Sequence, residues 1–337
     1  MSMGAVSIGE VARKAGVSRA TVSRVLNQDT AILVASVTRE RVNRVAVEMG
    51  YHPNAVARGL AGKPMNTVGV VMAYDLPSVT SDPYVGPVLD GILETNKRQR
   101  QKTLLFTEND WVSALRNVRT YCDGHADGLL LIAPRADSEI VGALKRTGRP
   151  FVLVGDSRND PETSTVDVDN VGMAETLTAH LVAQGRCRIA MLCGNDDFTS
   201  NAQRMAGYRL ALERADLPIL PEIIRPGEYW EWSGFENARI LLDMPAGERP
   251  DAIFCGNGRV AKGALKALES RGMAGDIALA ACCESPADGL GPPQISAGYM
   301  PLRQIGQAAV ETLLGIVRCT SEPGRRRLFP AESFALA

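Results

Sequence analysis

Apolar residues in the first fifty positions recur at helical spacing in three short blocks. The first block, Ile8–Ala15, is preceded by Ser7, which can cap a helix, and followed by Gly16, which can end one. The second block follows Ser18, another natural cap, and the third spans Thr38–Met49. Helices this short are stable only when their apolar faces share a core. The pattern therefore predicts a three-helix unit whose first two helices form a helix-turn-helix.

The second of these helices carries the candidate chemistry. In a helix-turn-helix it lies in the major groove of DNA, with its N-terminal residues at the base edges. Those residues are Arg19, Ala20, Ser23 and Arg24. The first 63 residues contain nine Lys or Arg and four Asp or Glu, a local net charge of +5 in a chain whose overall net charge is -1. This local excess suits a phosphate backbone, and a plain helical hairpin with a solvated basic face is the alternative.

From Thr67 onward the pattern changes to short apolar runs that alternate with longer amphipathic segments. The runs predict strands at Thr67–Ala73, Thr103–Thr107, Gly128–Ala133, Phe151–Gly155, Ile189–Cys193, Asp251–Cys255 and Ile277–Ala281. The segments between them predict helices that include Val88–Arg100, Val171–Gln184, Ala202–Ala215, Gly234–Asp243 and Val260–Arg271. Apolar strands that alternate with helices form parallel sheets covered on both faces. Because the strands are too many for one such sheet, we expect two sheets hinged near Val168-Asp169-Asn170, with a ligand cleft at the carboxyl ends of the strands.

Three segments near the start resemble a known family when they are taken in order. They read V-A-x-x-A-G-V-S-x-A-T-V-S-R-V-L-N over residues 11–27, T-R-E-R-V over residues 38–42 and G-Y-x-P-N-x-x-A-R-x-L over residues 50–60. This series resembles the LacI/GalR (lactose-repressor-like) family of bacterial transcriptional regulators. The loop at residues 28–37 is about two residues longer than the family usually carries.

The resemblance implies a small all-α helix-turn-helix head and an α/β core of two doubly wound parallel-sheet subdomains, similar to periplasmic binding proteins. It places the head at residues 1–52, a hinge helix and linker at 53–66, and the core at 67–337. The N-subdomain is then expected at 67–169 and 299–323, and the C-subdomain at 170–298 and 324–337. The chain would cross between them near Asn170, Gly298 and Pro323.

The same resemblance implies a homodimer that binds a palindromic operator in double-stranded DNA. The residues expected at the DNA are Ser7, Ser18, Arg19, Ala20, Thr21, Ser23, Arg24, Asn27, Asn54, Ala57, Arg58 and Leu60. Residues 54–61 are too few to hold a helix in water. We therefore expect them to fold only on DNA, with Leu60 as an apolar wedge in the minor groove. A small-molecule effector that changes the angle between the subdomains would allow or forbid that step.

Candidate effector contacts follow predicted strands or match the family's ligand position. They are Tyr74, Asp75, Asp156, Ser200, Arg204, Tyr229, Trp230, Asn257 and Cys283, with Asp82 and Tyr84 at the next helix start. Arg204 matches the family position that reaches the bound molecule, and a guanidinium offers bidentate hydrogen bonds to hydroxyls or a carboxylate. A structural ion pair is the alternative for Arg204.

Two departures from the family pattern bear on the effector. Gly258 and Cys283 stand where the family usually has carboxylates that accept hydrogen bonds from sugar hydroxyls. Unpaired hydroxyl donors cost about 1–3 kcal/mol each. The departures lower the expectation of a simple sugar, without excluding it, and make a smaller, more apolar or anionic effector credible.

A second interpretation is an enzyme. The segment Gly256-Asn257-Gly258-Arg259-Val260-Ala261 fits G-x-G-x-x-A, and Glu284 closes the next strand, as in NAD-dependent oxidoreductases. The motif lies late in the chain with few strands behind it, and it leaves the helix-turn-helix unexplained. A third interpretation, a solute-binding protein of a transporter, needs an export signal where the helix-turn-helix lies.

Composition sets further limits. With 45% hydrophobic residues the chain can bury a sizeable core. It contains neither an apolar run of membrane-spanning length nor an export signal at its start, so we expect it in the cytoplasm, without a membrane partner. The seven cysteines form no C-x-x-C pair and the three histidines do not cluster with them. We therefore expect no metal and no cofactor.

Overall fold

The computed structural model describes residues 6–26, 34–52, 64–74, 78–286, 289–290 and 294–337. The chain divides into two compact units, Met1–Met65 and Asn66–Ala337. The division lies next to Thr67, where the sequence pattern changes from helical blocks to alternating runs. Within the described ranges, no helix is long and apolar enough to cross a membrane.

The described part of the first unit folds into helices around one small core. These helices are α1 (Ile8–Ala15), α2 (Arg19–Leu26) and α3 (Ser36–Glu48). A capping box starts α1: the Ser7 hydroxyl accepts from the Glu10 N–H at 3.3 Å, and the Glu10 carboxylate accepts from the Ser7 N–H at 2.7 Å. Val11, Val22 and Val42 are buried where the helices meet. The shared core is what makes helices of this length stable.

The turn between α1 and α2 depends on two residues. Gly16 has φ of +63°, a left-handed conformation that glycine adopts without strain, and it ends α1. Ser18 then starts α2, because its hydroxyl accepts from the Thr21 N–H at 3.1 Å. The third helix begins at Ser36 rather than at the predicted Thr38, and no side chain caps it.

The second unit contains two sheets. The strands of the first sheet are β1 (Thr67–Ala73), β2 (Lys102–Glu108), β3 (Gly128–Ile132), β4 (Phe151–Val154), β5 (Ser164–Val168) and β11 (Arg326–Phe329). Those of the second are β6 (Ile189–Leu192), β7 (Ile224–Arg225), β8 (Ala252–Cys255), β9 (Ala278–Cys283), β10 (Ile295–Tyr299) and β12 (Ser333–Ala335). Among the described residues the orders are β11-β5-β4-β3-β1-β2 and β12-β10-β9-β8-β6-β7, and all neighbours are parallel except β10 and β12.

Helices cover both sheets. They are α4 (Val85–Arg98), α5 (Trp111–Arg116), α6 (Val118–Tyr121), α7 (Ile140–Thr147), α8 (Asn170–Ala183), α9 (Thr199–Arg214), α10 (Glu231–Leu242), α11 (Gly258–Ser270) and α12 (Leu302–Val317), with a 3₁₀ turn at Pro221–Ile223. Strands β1, β3 and β8 are buried along their whole length, as expected for parallel strands covered on both faces. The predicted fold class, a helix-turn-helix head with two parallel-sheet subdomains, is confirmed.

One of the three predicted crossings between the sheets needs correction. The first lies at Asp169, between β5 and α8, as expected. The second lies at Met300-Pro301, near the expected Gly298, because β10 continues to Tyr299 in the second sheet. The third lies between β11 and β12 rather than at Pro323, because β11 pairs with β5 in the first sheet. The first subdomain therefore includes residues 326–329.

Glycines allow two helices of the first subdomain to touch. A Cβ placed on Gly306 in α12 would collide with the Val88 carbonyl of α4, and a Cβ on Gly91 would collide with the Arg303 carbonyl. Contact at backbone distance packs α4 and α12 tightly against each other. This packing fixes the start of α4, which forms one edge of the cleft described next.

Candidate functional site

The N-terminal end of α2 presents the predicted base-reading residues to solvent. Ser18, Arg19 and Ala20 are exposed, and Thr21, Ser23 and Arg24 are partly exposed. Val22 and Val25 on the opposite face are buried in the core of the first unit. The amphipathic pattern thus leaves one face of α2 available to a major groove.

Two predicted DNA contacts, Arg19 and Ser7, lie against other residues of the first unit. The guanidinium of Arg19 lies over Gly9, where its Nη2 atom would be 3.0 Å from an added Cβ. Ser7 caps α1, so its hydroxyl is engaged with Glu10. The predicted contacts Asn27, Asn54, Ala57, Arg58 and Leu60, together with the expected hinge helix, lie outside the described residues.

The second unit contains a cavity of about 240 Å³ between its two subdomains. Its wall consists of Tyr74, Asp82, Pro83, Tyr84, Val85, Ala133, Gly155, Asp167, Val168, Asn170, Asn195, Phe198, Ser200, Arg204, Glu228, Tyr229, Trp230, Asn257, Arg259, Glu284 and Met300. Most of these residues stand at or just after the carboxyl ends of strands from both sheets. This is the ligand position expected for open parallel sheets.

Arg204 projects from α9 into this wall and is buried, with 5% of its surface exposed. Its Nε atom donates to Asn170 Oδ1 at 3.0 Å, Nη1 to the Gly256 carbonyl at 2.5 Å, and Nη2 to Met300 Sδ at 3.5 Å. All three acceptors are neutral. The structural ion pair considered as the alternative for Arg204 is therefore absent among the described residues.

Aromatic side chains make up much of the remaining wall. The guanidinium of Arg204 lies 5.7 Å from the centre of the Tyr229 ring, a cation–π distance. The Tyr229 hydroxyl is 3.1 Å from the Ser200 hydroxyl. Tyr74 donates its hydroxyl to the Ile132 carbonyl at 2.9 Å and presents its ring to the cavity. Trp230 stands at the rim with 38% of its surface exposed.

The start of α11 is capped by the side chains of Asn257 and Glu284. Asn257 Oδ1 accepts from the Val260 N–H at 2.9 Å, and its Nδ2 donates to Glu284 Oε1 at 3.2 Å. Glu284 Oε2 accepts from the Gly258 N–H at 3.3 Å. A dinucleotide would place its pyrophosphate at this helix N-terminus. Because a carboxylate already lies there, the arrangement opposes the oxidoreductase interpretation.

A bond between the subdomains crosses the cleft beside this helix. Arg259 Nη2 in α11 donates to Asp82 Oδ2 at 2.8 Å, and the Arg259 guanidinium lies 4.7 Å from the centre of the Trp230 ring. Asp82 Oδ1 accepts from the N–H groups of Tyr84 and Val85 at 3.0 and 2.8 Å. Asp82 therefore fixes the start of α4 and holds the other subdomain at the same time.

Asp167 adds a buried carboxyl group to the wall at the end of β5. Its Oδ1 accepts from the Val168 N–H at 2.7 Å, and its Oδ2 accepts from Asn170 Nδ2 at 3.4 Å. Burial raises the pKa of Asp167 to about 6, although hydrogen bonds from the Val168 N–H and the Ser157 side chain and the charge of Arg204 act in the opposite direction. The sequence analysis missed this residue because it missed the strand that carries it.

Of the predicted effector contacts, eight lie on the cavity wall: Tyr74, Asp82, Tyr84, Ser200, Arg204, Tyr229, Trp230 and Asn257. Two lie elsewhere. Asp156 is buried and accepts from Arg158 Nε at 3.0 Å, and Cys283 is buried at the end of β9 in the core of the second subdomain. Asp75 lies outside the described residues. The residues that sequence reasoning did not assign to the effector include Asp167, Phe198, Glu228 and Arg259.

No group of three or more His, Cys, Asp or Glu side chains is placed to hold a metal ion in the described part of the chain. On the cavity wall, Asp82 and Arg259 are bonded to each other, and Asp167, Arg204 and Glu284 are bonded to backbone groups and neutral side chains. The wall thus has the chemistry of a small-molecule site: aromatic surface with a few fixed polar groups.

Two family profiles match the chain. Residues 7–54 match the profile described as bacterial regulatory proteins, lacI family, and residues 178–334 match that of a periplasmic binding protein-like domain. The transcriptional regulator CelR of Thermobifida fusca is 29% identical over 320 residues, which cover 94% of this chain and 93% of CelR. Catabolite control protein A of Priestia megaterium is 29% identical over 312 residues, which cover 91% of each chain.

Solved structures agree with these matches. The Lac repressor dimer, determined bound to operator and the anti-inducer ONPF, superposes with a TM-score of 0.82 at 26% identity and 98% coverage of both chains. The complex of CelR with cellobiose gives a TM-score of 0.75 at 25% identity, covering 98% of this chain and 100% of that one. These relatives are transcriptional regulators.

The two units and their sites define a bacterial regulatory protein with a helix-turn-helix head and a periplasmic-binding-protein-like core. Residues 7–54 match the lacI family of bacterial regulatory proteins, and the chain is similar to regulators of that family over more than nine-tenths of its length.

Proposed function

We propose that this protein is a sequence-specific DNA-binding transcriptional repressor whose operator affinity is controlled by a small molecule bound in the cleft. The observation that carries the proposal is the cavity itself, whose wall is contributed by both subdomains. A molecule that touches both walls binds different subdomain arrangements with different affinity. By linkage, such a molecule shifts the equilibrium between those arrangements.

The DNA-binding half of the proposal rests on α2 and on charge. Arg19, Ala20 and Arg24 stand on the accessible side of a helix whose other side is buried. The first 63 residues carry the +5 local charge that phosphate contacts require. A single helix-turn-helix reads few base pairs, so we propose a homodimer on a palindromic site.

We further propose that coupling runs through residues 54–61, which lie outside the described residues. Gly59 weakens any free helix there by about 1 kcal/mol, so the segment depends on DNA and on a second copy to fold. The expected contacts are Ala57 at the helix–helix approach, Arg58 near phosphates and Leu60 between base steps. On this proposal the protein is a regulator and not an enzyme.

Selection of DNA by the full-length protein tests the function. We expect rounds of binding to a random duplex library to enrich an inverted repeat, because a symmetric dimer imposes its symmetry on the site. The enriched duplex should bind at least about a thousandfold more tightly than random DNA at physiological salt. Failure to enrich any sequence would refute the proposal.

A further inference from the structure

The carboxyl groups on the cavity wall are largely committed to the protein. Each oxygen of Asp82, Asp167 and Glu284 already accepts at least one hydrogen bond from a backbone N–H or a side chain. The fourth acidic residue, Glu228, is exposed. Among the buried carboxylates on the wall, those of Asp82, Asp167 and Glu284, a ligand therefore finds none whose oxygens are both without partners.

Hydrogen-bond donors on the cavity wall, in contrast, remain available to a ligand. Arg204 has five N–H groups, and its three bonds to Asn170, Gly256 and Met300 use three of them. The bond to Met300 sulfur is a weak one. Asp167 and Glu284 act on Arg204 through space. This buried cation lacks a directly bonded anion among the described residues.

Three hydroxyl groups on the wall add to its hydrogen-bond donors: that of Tyr84 and those of Ser200 and Tyr229. Tyr84 lines the cavity, and its hydroxyl lies against Gly155, which has no Cβ to displace it. No described residue forms a hydrogen bond with this hydroxyl. Burial raises the pKa of Tyr84, so its proton is retained and available for donation. The Ser200 and Tyr229 hydroxyls bond each other, which leaves one of their two protons for a ligand.

The shape of the wall favours a flat ligand. Five aromatic side chains line the cavity: Tyr74, Tyr84, Phe198, Tyr229 and Trp230. Phe198 lies between Tyr74 and Tyr229, with ring centroids 6.4 and 6.1 Å apart. Rings at such separations pack in tilted or offset arrangements and offer favourable contacts to a further ring.

We propose that the effector is a small aromatic carboxylate, with its ring among these aromatic side chains and its carboxylate bound to Arg204 and the Tyr84 hydroxyl. This inference rests on the proposed function, since it names the ligand of the same cleft. A carboxylate accepts from several donors and donates to none, which complements the groups left over on the wall. It also supplies the anion that the buried guanidinium lacks.

The same set of hydrogen-bond donors and acceptors on the wall disfavours a sugar as the ligand. Each sugar hydroxyl donates a hydrogen bond, and the buried carboxyl oxygens that would accept it, those of Asp82, Asp167 and Glu284, already accept bonds from the protein and have fewer lone pairs to offer. Proton uptake by Asp167 offsets the negative charge of the bound ligand. Burial already raises the pKa of that carboxyl, which favours its protonated form.

Isothermal titration of the full-length protein tests the ligand class. The probes are benzoate, phenylacetate and 3-phenylpropionate, each paired with its neutral primary amide. We expect at least one acid to bind ten or more times more tightly than its amide. Tyr84→Phe should weaken that acid about tenfold, because one hydrogen bond to a charged group is lost. Tyr121→Phe is the matched control, because its hydroxyl bonds Glu108 away from the cavity, and it should bind as the wild type does.

Acids that bind no better than their amides would overturn the proposal. So would unchanged acid binding by Tyr84→Phe. Saturable binding of glucose or cellobiose in the same titration, without acid binding, would overturn the ligand class but leave the cleft as an effector site. These titrations contain no DNA, so their failure is distinct from failure of the DNA selection that tests the proposed function.

Discussion

The guanidinium of Arg259 bonds the carboxylate of Asp82 across the cleft, with Nη2 2.8 Å from Oδ2. The two residues belong to different subdomains, and 8% of the Asp82 side chain is exposed. A second ion pair between the subdomains joins Arg135 and Asp197. These two ion pairs therefore help to hold the two subdomains in the arrangement that the structure shows.

We predict that Arg259→Gln lowers the free energy of unfolding of the core by about 1–3 kcal/mol, because Asp82 loses its charged partner at a nearly buried position. Urea unfolding of the full-length protein measures the change. Arg271→Gln is the control: its ion pair with Asp243 is about half exposed, so the expected change is within about 1 kcal/mol. Equal effects of the two substitutions would contradict the assigned role of Arg259.

Gly306→Ala tests the packing of α4 on α12. The added methyl group meets the Val88 carbonyl, so we expect a loss of about 1–3 kcal/mol in urea unfolding. Gly142→Ala is the matched helix control, because Gly142 is exposed in α7 and an added Cβ meets only the end of Arg146. There the substitution should stabilise the protein by about 0.5–1 kcal/mol. A stabilising Gly306→Ala would show that the helices do not touch at this point.

Asp167 predicts a pH dependence of stability. Its folded-state pKa, raised by burial to about 6, lies above that of an unfolded aspartate, so the folded state binds more protons between those values. Its contribution to stability therefore falls as the pH rises from about 4 to 6 and is constant above about 7. Relative to the wild type, Asp167→Asn should gain about 1–2 kcal/mol between pH 5 and pH 7.5. A constant difference in unfolding free energy over this range would exclude a raised pKa.

Arg24→Ala tests base readout by α2. The substitution should weaken binding to a selected operator by about 1–3 kcal/mol while leaving binding to random DNA nearly unchanged. Fluorescence anisotropy with the two duplexes at one salt concentration provides the comparison. An equal loss on both duplexes would assign Arg24 to the phosphate backbone instead.

Periodicity predicted the type and order of most elements, but it placed many helix starts too late. Helix α9 begins at Thr199 rather than Ala202, and α10 begins at Glu231 rather than Gly234. The first N–H groups of a helix need no partner within it, so polar residues are tolerated in the first turn and hide its start. Such first turns carry Ser200 and, in α11, Arg259, which both line the cavity.

Two strands that the sequence did not predict, β5 and β11, are stabilised more by pairing with neighbouring strands than by the β-strand propensity of their own residues. Strand β5 contains Ser164, Thr165 and Asp167, yet every residue in it is buried between β4 and β11. Strand β11 alternates exposed and partly buried residues at the sheet edge, with three arginines nearby in sequence. No local pattern reveals the pairing of β11 with β5, because it joins residues more than 150 positions apart.

Site residues were predictable where the family position or the end of a strand marked them, as for Arg204 and Tyr229. Asn257 lies on the cavity wall as expected, but its side chain is engaged with Val260 and Glu284 at the start of α11. The position of a residue follows from topology, whereas the partner of its side chain depends on three-dimensional packing. For this reason the sequence marks both Asn257 and Ser200 as cavity residues, but it does not show which protein groups each side chain bonds.

Operator affinity measured with and without a cleft ligand tests the central claim most directly. The full-length protein is titrated into its selected duplex, alone and with a saturating compound that raises its melting temperature in the absence of DNA. We predict a change in the dissociation constant of about 5- to 150-fold, because ligand and operator are coupled through the arrangement of the subdomains. An operator affinity unchanged by a ligand shown to occupy the cleft would contradict the account.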